Sequence, residues 1–85
     1  MSPAEPVISD KLVYLVEDDL SISRLIVTIL RDYQFRCESF RTGASLLQRV
    51  RQQPPDLVIV DLGLPDMDGM AIVRQVREQQ RCGVI

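Results

Sequence analysis

The chain has 85 residues, 46% of them hydrophobic, enough for one small domain with a modest core. Ten basic and twelve acidic residues are mixed along it and give a net charge of −2, which offers no electrostatic case for nucleic acid or an anionic membrane as partner. There is no His, which removes histidine-based catalysis and most zinc sites.

Residues 1–10, MSPAEPVISD, hold two Pro and two acids but lack the apolar stretch of a signal peptide. They read as a disordered lead-in to a folded unit at 11–85. No apolar run approaches the length of a spanning helix, so the expected location is cytoplasmic.

Residues 11–16, KLVYLV, are almost continuously apolar, as in a parallel-sheet strand buried on both faces. The acids Glu17, Asp18 and Asp19 follow. From Leu20 the period changes. Ile22, Leu25, Ile26, Ile29, Leu30 and Tyr33 fall on one helical stripe, predicted to face the core. Asp18 or Asp19 is placed to cap that helix, and Ser23, Arg24, Arg31 and Asp32 form its polar face.

Arg36 to Phe40 alternates as a short second strand. Thr42 then opens a second helix, with Leu46, Leu47 and Val50 inward, stopped by Pro54-Pro55. Leu57 to Val60 is the clearest buried strand. A loop leads from it to Gly69, where a third helix begins with Ile72, Val73 and Val76 inward and Arg74, Arg77 and Glu78 outward. Residues 83–85 look like the start of a fourth strand, so the chain is expected to be part of a longer domain. Cys37 and Cys82 lack CxxC spacing and read as free buried thiols.

The order β-α-β-α-β-α-β predicts an α/β fold with a parallel sheet and right-handed crossovers. Sites in such sheets form beyond the carboxyl ends of the strands, where the strand order reverses. Glu17 and Asp18 follow the first strand, and Asp61 follows the third. If these strands are neighbours, the three carboxylates converge. Gathered carboxylates raise one another's pKa, and the single Lys, Lys11, begins the first strand at the far end of the sheet. A hard divalent cation with oxygen ligands resolves the repulsion, and Mg²⁺ fits best. An Asp beside Mg²⁺ is a nucleophile towards phosphorus, giving an aspartyl-phosphate. Asp61 is the candidate nucleophile, because it alone ends a central strand. Asp18 would bind the metal directly and Glu17 through a water. Asp66 and Asp68 read as loop and capping residues, Asp68 at the start of the third helix.

LVYLVEDD, followed after a spacer by VIVDLGLPDMDG, resembles the receiver domain of two-component response regulators over residues 11–85. The resemblance implies a flavodoxin-like fold with strand order 2-1-3-4, the fifth strand and last helices being absent. It implies a sensor histidine kinase or phosphotransfer protein as donor, Asp61 as phosphoacceptor, Glu17 and Asp18 as the acidic pocket, and the Gly63 backbone carbonyl as a metal ligand. It also implies self-phosphorylation and dephosphorylation rather than enzymatic turnover on a separate substrate. A DNA-binding output domain belongs to a longer protein, and direct DNA binding by this chain is not expected. The family's Ser or Thr after strand four and Lys after strand five have no counterpart before Ile85. That favours an alternative reading as a degenerate or split receiver, an interaction module that self-associates through the strand-four edge. A haloacid-dehalogenase-like phosphohydrolase is rejected, because Asp66 follows Leu64-Pro65 rather than a buried strand. An EF-hand fails because Leu64 and Gln75 fall where ligands belong.

Overall fold

Among the described residues, four strands and three helices alternate: β1 (Leu12–Val16), α1 (Leu20–Asp32), β2 (Arg36–Phe40), α2 (Gly43–Gln52), β3 (Leu57–Val60), α3 (Gly69–Gln79) and β4 (Gly83–Val84). The structure is a computed structural model and describes residues 11–61, 63–79 and 83–85. The expected lead-in at 1–10 and the thiol of Cys82 lie outside the described residues.

All strand pairs are parallel, in the order β2-β1-β3-β4. This is the expected flavodoxin-like arrangement, with the reversal of strand order at β1 and β3. β1 is central and all five of its residues are buried, as its unbroken apolar run requires. Its alternate side chains feed two cores. Leu12, Tyr14 and Val16 join Val58 against Leu46, Leu47 and Val50 of α2 and Ile72 and Val76 of α3. Val13, Leu15 and Cys37 point to the other face, where Ile26, Val27 and Leu30 of α1 pack with Phe35. Each fully buried Val or Leu side chain stabilises the fold by roughly 1.5–3 kcal/mol relative to exposure. Burial pushes the Cys37 thiol above its ordinary pKa and keeps it unreactive.

α1 departs from its predicted orientation. Ile22, Leu25, Ile29 and Tyr33 are exposed, Leu25 by 60% and Tyr33 by 73%. Of the stripe, Ile26 and Leu30 do face the sheet, joined there by Ser23 and Val27. The helix has turned so that Arg31 overlooks β2 and donates to the Cys37 carbonyl at 3.1 Å.

The turn after α1 satisfies its last carbonyls. Gln34 N–H donates to Arg31 O at 2.9 Å and Phe35 N–H to Leu30 O at 3.1 Å, a Schellman closure. Gln34 takes φ = 70°, the left-handed position glycine favours. α2 ends at Gln53, whose carbonyl accepts from the buried Tyr14 hydroxyl at 2.6 Å. Among the described residues no helix is long and apolar enough to cross a membrane.

Candidate functional site

The ladder hydrogen bonds continue past the strand ends and place the first acids. Glu17 N–H donates to Phe40 O at 2.9 Å, and Asp61 N–H donates to Val16 O at 3.0 Å. Both residues thus leave the carboxyl edge of the sheet at the same level, one from β1 and one from β3. Glu17, Asp18 and Asp61 each offer a carboxylate oxygen, and these oxygens lie within 4.8 Å of one another. Glu17 and Asp61 are half-buried and Asp18 is exposed.

The consecutive acids after β1 do different work. Asp19 is the N-cap of α1, its Oδ1 accepting from Ser21 N–H at 2.8 Å and Ile22 N–H at 3.1 Å. That settles the choice between Asp18 and Asp19 and leaves Asp18 to the pocket. Glu17 Oε1 accepts from Asp19 N–H at 3.1 Å, which fixes the Glu17 side chain across the strand end. Burial raises the Glu17 pKa, and the negative charges of Asp61 and Asp18 raise it further, against that one N–H. A carboxylate pushed up by its neighbours' like charge is in the electrostatic condition that a cation relieves. Three hard oxygen donors suit a divalent ion such as Mg²⁺ or Ca²⁺ far better than a soft metal.

On the β3 side the loop is built around Asp61. Its Oδ1 accepts from Gly63 N–H at 2.9 Å, an Asx turn that holds the side chain over the sheet edge. Gly63 is exposed, while Leu64 turns inward and is only 8% exposed, so the peptide between them is anchored on its far side. Gly63 has no positive φ, and a Cβ there would meet only Asp61 Oδ1, at 3.6 Å. The residue is therefore not required by sterics.

Asp68 caps α3 as its position implies, with Oδ1 accepting from Met70 N–H at 3.1 Å. Asp66 does something the sequence did not signal. Its carboxylate reaches α2, accepting from Gly43 N–H at 2.9 Å and Ala44 N–H at 3.1 Å. These bonds hold its carboxyl below the usual carboxylate range, the Gly43 bond contributing most. The partners lie 23 and 22 residues earlier, beyond the reach of any local pattern.

Residues 13–85 match the family model described as the response regulator receiver domain. The transcriptional regulatory protein CreB of Escherichia coli is 41% identical over 64 residues, covering 75% of this chain and 28% of that protein. A receiver domain (CheY-like) from Methylobacillus flagellatus superposes with a TM-score of 0.83 at 25% identity, over 89% of this chain and 67% of that one. The BeF3-activated N-terminal receiver domain of Klebsiella pneumoniae RstA gives 0.82 at 28% identity, over 87% of this chain and 63% of that one. The chain spans well under two thirds of the first curated relatives it matches.

Proposed function

The chain belongs to the response regulator receiver family, and from that premise we propose that it accepts a phosphoryl group on Asp61 from a histidine kinase or phosphotransfer protein on the cytoplasmic side. The observation that carries this reading is the convergence of Glu17, Asp18 and Asp61 at the carboxyl ends of the two central strands.

In this reading Asp18, Asp61 and the Gly63 carbonyl would hold Mg²⁺, and Glu17 would reach it through a water. When bound, the ion offsets the charge of the carboxylates and of the incoming phosphoryl oxygens. The chain's own residues do the rest. Gly63 N–H holds one oxygen of Asp61 and fixes the side chain, leaving the other oxygen to attack phosphorus. The new bond joins that oxygen to phosphorus. The bond that breaks is phosphorus to the donor's imidazole nitrogen, whose electron pair leaves with the donor. Because β3 fixes the Asp61 backbone, the nucleophile is placed before the donor arrives, which lowers the entropic cost of reaction.

The test uses a small phosphodonor in place of the kinase. Incubated with acetyl phosphate and Mg²⁺, the chain is expected to gain the mass of one phosphoryl group. Chelation of the metal removes the gain, and Asp61→Asn abolishes it. Undiminished labelling of Asp61→Asn would move the acceptor elsewhere and sink the assignment.

A further inference from the structure

Asp66 lies outside the acidic pocket, yet it is the most fully engaged carboxylate of its loop. An α-helix begins with four backbone N–H groups that have no partner inside the helix. In α2 three of them, those of its first three residues, find partners outside the helix ladder. Ser45 N–H reaches Thr42 Oγ1 at 3.2 Å, and Gly43 and Ala44 N–H are taken by Asp66, while Leu46 N–H makes the first bond within the helix, to Thr42 O at 3.3 Å. The helix is therefore capped partly by its own chain and partly from the β3–α3 loop.

The packing beside those bonds gives an independent sign that loop and helix are docked. A Cβ on Gly43 would stand 2.7 Å from Ile72 Cδ1 and 2.8 Å from Met67 Sδ, closer than side chains tolerate. Gly43 is thus where the start of α2 sits directly on the residue after Asp66 and on α3. Between Asp61 and this contact, three described positions are held. Asp61 is tied to Gly63, Leu64 is buried, and Pro65 fixes its own φ next to Asp66.

We propose that Asp66 is a positioning residue for the metal pocket. By pinning the β3–α3 loop to the N-terminus of α2, it holds the Gly63 carbonyl and the Asp61 side chain at the separation from Asp18 and Glu17 that a divalent cation requires. The proposal rests on the reading of Glu17, Asp18, Asp61 and Gly63 as an Mg²⁺ pocket. It adds that the affinity of this pocket is set from α2, by a residue that never touches the ion.

The experiment is a Mg²⁺ titration of the 85-residue chain followed by amide chemical shifts, which report folding and metal affinity in the same spectra. Three variants are compared with the parent: Asp66→Ala, Asp66→Asn and Tyr14→Phe. Asp66→Ala is expected to remain folded, to shift the Gly63 amide before metal is added, and to weaken Mg²⁺ binding by about tenfold, the usual scale for residues that orient a ligand. Asp66→Asn keeps one acceptor oxygen and should fall between. Tyr14→Phe removes the hydroxyl bond to Gln53 at the far end of α2, so it lowers stability and leaves Mg²⁺ affinity within about twofold if affinity tracks the clamp rather than stability. Unchanged affinity in Asp66→Ala overturns the proposal, and so does an equal loss in Asp66→Ala and Tyr14→Phe. A parent chain whose pocket amides ignore Mg²⁺ overturns the pocket reading itself, and the proposal falls with it.

Discussion

Gln34 carries a left-handed backbone that its side chain does nothing to favour. Its φ of 70° is set by the two carbonyls it and Phe35 must satisfy at the end of α1. A Cβ in that region costs about 1–2 kcal/mol. Gln34→Gly should therefore stabilise the chain by about 1 kcal/mol, a little less than the strain because glycine also gains freedom in the unfolded state. Denaturant unfolding at unchanged m-value checks it. A loss of stability would mean that the Gln34 side chain makes a contact worth more than the strain. The acids between residues 61 and 68 show the same dependence on context. Asp68 was legible as a cap because its partner amide is two residues away. Asp66 was legible only as a loop residue, because its partners belong to another helix. Local pattern reveals local hydrogen bonds and is silent on the rest.

Helix α1 is where periodicity misled. Six apolar positions from Ile22 to Tyr33 do share one broad arc, and the arc is real. What spacing does not say is which part of an arc that wide meets the sheet. The buried edge contains Ser23, counted as polar, and Val27, which fell off the chosen stripe. α2 and α3 were read more nearly correctly, since their apolar arcs are narrow: Leu46, Leu47, Val50, Ile72 and Val76 turned inward, and only Val73 stops at half-buried. The difference has a measurable consequence. Leu25→Glu, at a position 60% exposed, should change stability by less than about 0.5 kcal/mol. Leu46→Ala, at a position with no exposure, should cost about 2–5 kcal/mol through lost burial and the cavity left behind. Thermal or urea unfolding of both variants decides it. A large loss from Leu25→Glu would mean that the outer flank of α1 is packed in solution.

At the scale of the whole molecule, the sheet order is what turns scattered acids into a site. Glu17-Asp18 and Asp61 belong to opposite halves of the sequence, and they meet only because β1 and β3 are neighbours in a parallel sheet. The alternation of apolar runs and helical periods made that topology readable, since a buried parallel strand and an amphipathic helix leave different signatures. The clamp between α2 and the β3–α3 loop was not readable, because it depends on how two helices settle on the same face of the sheet. Its one trace in the sequence is Gly43, and a glycine at a helix start has many ordinary explanations. We propose that this topology aims Asp61, and no other acid, at phosphorus. The most direct measurement is borohydride reduction of the chain after treatment with acetyl phosphate and Mg²⁺, followed by peptide mass mapping. An acyl phosphate on Asp61 predicts conversion of that single residue to homoserine. Conversion at Asp18, Asp66 or Asp68, or a phosphorylated chain in which Asp61 is unaltered, would contradict the account.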